Sequence, residues 1–298
     1  MKHHSILLLL LLSLLSLSQL PAQSGWTKPE GAGFFKLSQG FIRAGSFFNP
    51  DGEVIDITTT SVYSTALYAE YGVNDRLTLL VDAPLFVRST INNRESTVDG
   101  FVIPGDEFNG LGDLRLGLQY GIIRDKAIVL AASARVKLPT GNPVGGDSEL
   151  LQTGDGAWGA IGMLHASHSF YPSPFYATLS AGYQWRGTAT LDYSVGTEEV
   201  NYDDAVRWGG EVGYTPGQHW RLALKFEQVI ALENGSGGGV TGSSSLFGNR
   251  ISYFAITPEV SYLLGKGWGL AASVGTVAAA KNILAAPYFN VGVVKVME

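Results

Sequence analysis

Between Trp220 and Glu227 apolar and polar residues alternate without a break. Trp220, Leu222, Leu224 and Phe226 fall on one side, and Arg221, Ala223, Lys225 and Glu227 on the other. Successive strand side chains point to opposite faces, so the segment reads as a strand with one apolar and one polar face. The same period recurs along the chain. Leu114, Leu116, Leu118 and Tyr120 alternate with Asp113, Arg115, Gly117 and Gln119. Ile128, Leu130, Ala132, Ala134, Val136 and Leu138 leave Ser133, Arg135 and Lys137 opposite. Val206, Trp208, Val212 and Tyr214 oppose Arg207 and Glu211, and the odd-numbered residues of Phe175–Trp185 oppose Thr178, Ser180, Gln184 and Arg186. The pattern predicts twelve strands, at roughly 34–48, 58–73, 76–88, 110–123, 127–139, 156–170, 175–187, 204–215, 219–231, 250–264, 268–278 and 283–296. The first, sixth and last alternate poorly, and their facing stays open.

The connections alternate in length. Tight ones at 74–75, 124–126, 171–174, 216–218 and 265–267 each contain Asn, Asp, Pro, Ser or Gly, residues suited to turns. Between them lie longer ones at 49–57, 89–109, 140–155, 188–203, 232–249 and a shorter 279–282. Short turns at one end and long loops at the other mark an outer-membrane barrel. Tyr71, Tyr120, Tyr171, Phe175, Tyr214, Trp220, Tyr262 and Trp268 all lie within a few residues of a tight turn, whereas Phe48, Phe86, Trp158, Trp185, Trp208 and Phe226 lie toward the other end. Two aromatic girdles are expected of a barrel in a bilayer. The long loops carry acids: Asp51, Glu53, Asp56, Asp106, Glu107, Asp147, Glu149, Glu198, Glu199 and Asp203, read as solvated surface charge. Glu233–Gly242 reads as a flexible Gly/Ser-rich loop.

Composition narrows the classes. Charged residues make up 15% of the 298 and glycine contributes 38, against an ordinary charged share of about 25%. The net charge of −6 speaks against a nucleic-acid partner, and the absence of cysteine removes disulfides and thiolate metal sites. Lys2, the apolar run Ile6–Leu17 and Leu20-Pro-Ala22 have the layout of a cleaved secretory signal peptide over 1–22. No later apolar run reaches 18 residues, so a membrane-spanning mature chain must be a closed barrel. The expectation is a transmembrane antiparallel up-and-down β-barrel over 23–298, with both termini periplasmic.

Two motifs go further. Gly110-Leu-Gly-Asp-Leu-Arg-Leu-Gly-Leu-Gln-Tyr120 opens the fourth predicted strand, and Val136-Lys-Leu-Pro-Thr-Gly141 closes the fifth. With the hairpin between them they resemble the signature of the outer-membrane family of the MetA pathway of phenol degradation. Gly25-Trp26 and Gly33-Phe-Phe-Lys-Leu37 are similar to members of that group. The resemblance implies an outer-membrane channel or transporter, in some members associated with aromatic compounds. The chain departs from many barrels in ending Val294-Lys-Val-Met-Glu298 without a terminal aromatic.

Charged residues on the polar faces are the candidate pore lining: Asp113, Arg115, Arg135, Lys137, Arg186, Arg207, Glu211, Arg221, Lys225 and Glu227. Asp113, Arg115, Arg135 and Lys137 can equally form a structural ion-pair ladder. Mixed sign implies a polar lumen of weak charge selectivity. Eight strands leave room for side chains alone and sixteen leave an open channel, so twelve implies a narrow or loop-obstructed pore, with 89–109 the plug by length. His165-Ala-Ser167 has the spacing of a lipid-active barrel hydrolase. The next strand offers no Asn, Asp or Glu to orient the imidazole, and no enzyme is expected. His165 and His168 fall on opposite faces and make a poor metal pair. No cofactor is implied, and the expected partners are outer-membrane lipids and a small solute. The expected function is passive passage of small solutes, the alternative a structural or surface-binding barrel acting through its extracellular loops.

Overall fold

A computed structural model describes residues 24–95, 101–236 and 248–298. The predicted signal peptide, 1–22, and positions 237–242 of the Gly/Ser-rich stretch lie outside the described residues. Twelve long strands form the wall: β1 (Gly33–Phe48), β2 (Val54–Asn74), β3 (Leu77–Ile91), β4 (Leu114–Ile123), β5 (Ile128–Leu138) and β6 (Gly159–Ser169), then β7 (Phe175–Arg186), β8 (Ala205–Tyr214), β9 (Trp220–Ala231), β10 (Ser252–Gly265), β11 (Trp268–Lys281) and β12 (Tyr288–Met297). Sequence neighbours pair antiparallel throughout. The wall closes because β1 pairs on both sides, with β2 from Gly33↔Tyr71 to Phe48↔Val54 and with β12 from Gly33↔Met297 to Ile42↔Tyr288. Closure leaves no unpaired sheet edge, the condition for strands to cross lipid.

The alternation fixes which face meets lipid. Leu116, Leu118, Leu164, Leu179, Leu222, Leu224, Leu270 and Val291 are exposed on the outside, whereas Gln119, Ser133, Lys137, Glu211 and Arg221 are buried on the inside. At the tight-turn end, Phe175 stacks on Tyr214 and Trp220 meets Tyr262 edge-on, each at 4.7 Å. Toward the other end Trp208 lies 6.3 Å from Phe226 and 6.4 Å from Phe254.

The poor alternation of β1 now has a reason. Its inner face is itself apolar near the long-loop end, where Ile42, Ala44 and Phe47 pack with Val62, Val87 and Leu284. On β6, Met163, His165 and Ser167 are buried toward the interior and Leu164 faces out.

Three expectations are corrected, the plug at 89–109, the start of the fourth strand and the surface charge at Asp203, and the 188–203 connection proves to be folded. The segment 89–109 is not an inward plug in its described part. Asp106–Gly110 pairs with Val87–Ile91, and Arg94–Glu95 pairs with Val102–Ile103, so the backbone is used to extend the wall outward. Length alone hid that pairing. The fourth strand starts at Leu114 and not at Gly110: the Gly112 amide donates to the Pro84 carbonyl, and a Cβ at Gly112 would lie 2.6 Å from the Pro84 ring. The stretch 188–203 is a folded hairpin, Thr188–Tyr193 with Gly196–Asn201. It buries Ala189, Leu191, Val200 and Tyr202 against Ala157. Beside it, Asp203 is buried and accepts from the Gly235 amide, so it is not solvated surface charge.

The lipid-facing assignment sets a stability expectation. Leu224→Arg, on the outer face of a strand paired on both sides, should lower the unfolding free energy in lipid by about 2–4 kcal/mol. Val195→Arg, at a hairpin tip 95% exposed, should change it by less than about 0.5 kcal/mol. Denaturant unfolding of the refolded variants measures both, and equal effects would contradict the assignment.

A charge-paired interior as the candidate functional site

Strand alternation sends the charged residues inward, where they meet in three tiers. Nearest the tight turns, Lys28 pairs with Glu70 at 3.2 Å, and the Tyr68 hydroxyl donates to the same carboxylate at 2.7 Å. In the middle tier Glu211 accepts from Arg221 and from the Tyr176 hydroxyl. Glu259 accepts from Lys225 at 3.0 Å and from Lys36 at 3.3 Å. Arg207 pairs with Glu227, which also accepts from Tyr253, and Arg115 donates to Asp82 at 2.9 Å. At the long-loop end Lys137 pairs with Asp155 and lies 3.7 Å from Asp113, and Arg186 reaches Asp155 at 3.1 Å. Arg186 also lies over the Tyr202 ring at 4.2 Å. Burial favours the neutral form of the Asp155 acid, but Lys137 and then Arg186 outweigh it and hold the carboxyl below its ordinary value of 3.8.

All the candidate pore-lining residues sit on or beside the interior face, with unequal roles. Arg115, Lys137, Arg186, Arg207, Glu211, Arg221, Lys225 and Glu227 are ion-paired there. Arg135 is half-buried, and its Nε has no hydrogen-bond partner among the described residues. Of the possible ladder of Asp113, Arg115, Arg135 and Lys137, the Lys137–Asp113 contact forms, at 3.7 Å, whereas Arg115 pairs with Asp82; Asp113 also has a second role. It accepts from the amides of Gly141 and Asp155, both at 3.0 Å, and so anchors the loop after β5. Sequence reading missed Lys36, Asp82, Asp155 and Glu259. Lys36 lies on a strand whose facing was open, Asp82 inside an apolar run, Asp155 in a long connection, and Glu259 beside Pro258.

Two chain segments enter the barrel. The N-terminal stretch crosses it near the tight turns. The Lys28 amide donates to Thr78 Oγ1 at 2.8 Å on β3, Gln119 of β4 donates to the Ser24 carbonyl at 2.7 Å, and the Gly25 amide donates to Ser167 Oγ at 2.7 Å on β6. Trp26 meets the Tyr176 ring of β7 edge-on at 6.1 Å. Gly72 permits this approach, since a Cβ there would lie 1.9 Å from the Pro29 carbonyl oxygen. From the other end the connection between β5 and β6 folds in, with Leu151–Asp155 buried. Ser89 of β3 donates to the Gln152 carbonyl, and the Tyr202 hydroxyl donates to that of Asp155.

His165 faces inward and is 2% exposed. Its ring nitrogens each lie 2.8 Å from a hydroxyl, Nε2 from Ser133 and Nδ1 from Ser180. The imidazole therefore ties β5, β6 and β7 together, on the face away from lipid.

The family model described as “Putative MetA-pathway of phenol degradation” matches residues 51–291. The chain belongs to that family. Within the MetA-pathway match lie both motifs around Gly110–Gly141 and the β5–β6 loop. Comparison with curated proteins gives no match. Among solved structures, the fold is similar to the COG4313 outer membrane channel from Pseudomonas putida F1, with TM-score 0.65 and 16% identity over 94% of this chain and 100% of that one. It is also similar to the transport unit of the autotransporter AIDA-I from Escherichia coli, with TM-score 0.55 and 11% identity over 95% of each chain. The NanC porin gives TM-score 0.52 and 10% identity over 88% of this chain and 98% of that one.

In this MetA-pathway protein the mouth tier should depend on its one lysine. Lys137→Met leaves Asp113 and Asp155 facing each other without their shared ammonium, at a cost of about 3–5 kcal/mol. Hydrogen exchange across 139–158 should accelerate while β8–β10 stay protected. Because the Asp155 value is depressed in the fold, its contribution is full above the ordinary 3.8 and is lost as pH falls through the lower folded value. Asp113 is shifted the other way, above its ordinary value, by burial and by the Asp155 charge, so as pH falls exchange at Gly141, whose amide Asp113 accepts, should rise before exchange at Ala157, whose amide Asp155 accepts. The reverse order would contradict this assignment.

Proposed function

We propose that the protein is an outer-membrane channel for passive passage of small solutes, narrowed by residues 24–32 at the periplasmic end and by the β5–β6 loop at the extracellular end. The observation that carries the reading is a closed wall that is apolar outside and charged inside. A solvent-excluding soluble barrel has no use for that inversion. Membership of the MetA-pathway family and the likeness of the fold to outer-membrane channels support it. The family description makes aromatic compounds the first solutes to test. Export through a signal peptide at 1–22 belongs to the same proposal, as does the absence of catalysis: His165 is held between two serine hydroxyls on the interior face.

One observation favours the alternative, a structural or surface-binding barrel. The interior charges are extensively paired, and chain enters the barrel from both ends. Solute flux separates the readings. Liposomes carrying the folded protein should admit small solutes slowly, and removal of 24–32 should increase the flux several-fold while leaving heat-modifiable migration intact. Flux at the level of empty liposomes for both forms would favour the alternative.

A further inference from the structure

One cation of the interior has no counter-charge. Each carboxylate of the middle tier, Asp82, Glu211, Glu227 and Glu259, already holds a cation, and Glu259 holds two. Arg135 of β5 points into the same interior, opposite Gly117 and two residues along β4 from the partner of Asp82. Gly117 makes room for it, since a Cβ there would lie 2.5 Å from Arg135 Cγ. The guanidinium makes no hydrogen bond and no ion pair among the described residues. Its Nε is enclosed, but the side chain is only half-buried and its two terminal nitrogens are open to the lumen. With Arg135 and the second lysine on Glu259, the tier carries two more positive charges than its carboxylates balance. A confined space with an excess of one sign concentrates ions of the other.

The chemistry of the free group selects its ligand. A guanidinium presents its N–H groups in one plane, and a carboxylate accepts from two nitrogens at once through its two oxygens. With Nε closed, the end-on pair of terminal nitrogens is the side that remains. A neutral solute leaves the charge unanswered, and a cation adds to it. The neighbours of Arg135 on β6 are apolar. Arg135 pairs in register with Ile161, and Met163, the next inward residue of that strand, lines a cavity of about 280 Å³. A cavity of about 150 Å³ holds a benzene ring, so a single ring has room there. We propose that Arg135 is a binding station for a small organic carboxylate, with the carboxylate on the terminal nitrogens of the guanidinium and the apolar body toward Ile161 and Met163. The proposal deepens the channel reading by naming a solute class that the passage favours, and only the passage itself rests on that reading.

Three planar compounds of one shape test it: benzoate, benzamide and benzamidinium, titrated calorimetrically at pH 7 and fixed salt into the full folded chain in a single non-ionic detergent. Benzoate should bind at least ten-fold more tightly than the amide or the cation. Inorganic phosphate, which offers oxygens without an apolar body, should bind at least ten-fold more weakly than benzoate. Arg135→Gln removes the charge and leaves no carboxylate without its cation, so the barrel should still fold, as heat-modifiable migration confirms. That variant should bind benzoate at least ten-fold more weakly, and detergent partitioning cancels in its comparison with wild type. Equal binding of the three compounds, phosphate as tight as benzoate, benzoate binding unaffected by Arg135→Gln, or no binding beyond the detergent blank would each overturn the proposal. Equilibrium binding does not require conduction. A silent bilayer with benzoate binding removes the channel and keeps the site, and conduction without binding does the reverse.

Discussion

Everything in this chain depends on the closing pair of strands. A sheet in lipid cannot leave a row of amides and carbonyls unpaired, since each buried orphan costs several kcal/mol. Here the cost is avoided by ten residues of β12 pairing with the free side of β1. Once the ring is closed, alternation leaves each residue only two environments, lipid or interior. The apolar half of the pattern faces lipid because it can. The charged half is forced inward, and its placement there is a consequence of closure before it is a device of function.

An interior crowded by that constraint has to manage its charges. Isolated ions in so confined a space are untenable, and the structure answers with networks in place of single pairs: Lys36 and Lys225 share Glu259, and Lys137 and Arg186 share Asp155. Such pairs repay their desolvation only when geometry is good and the remaining polar atoms are satisfied. Backbone supplies part of that satisfaction, as where Asp113 accepts from two loop amides. The N-terminal stretch adds Lys28 to Glu70 in the same way. The segments that narrow the barrel and the charges that line it are therefore one structure, and a few buried atoms, among them Arg135 Nε, Glu211 Oε2 and Arg221 Nη1, stay without a hydrogen bond among the described residues.

The wall was legible because lipid enforces a period of two. β4, β5, β7, β8 and β9 could be oriented residue by residue, and the alternation of short and long connections gave the two ends. Strands whose interior is apolar could not be oriented, because Phe34 and Ile42 on the inner side of β1 resemble Leu37 and Phe41 on its outer side. The candidate interior residues on regular strands could be named in advance, whereas their partners could not. Asp155 acts from a connection where no period applies, and Asp82 sits in an apolar run. The obstructions were the least legible of all, since a chain that turns into a barrel is held by contacts distant in sequence, such as Gly25 with Ser167. Length pointed to 89–109, and pairing with β3 took that segment elsewhere.

A channel needs a continuous water path through the charge-paired interior from one side of the membrane to the other. Single-channel recording of the folded full chain in a planar bilayer tests it most directly. The account predicts small discrete conductance steps of weak ion selectivity, as the mixed charges of the interior require. A bilayer that stays silent, with the inserted protein shown by heat-modifiable migration to be folded, would contradict it.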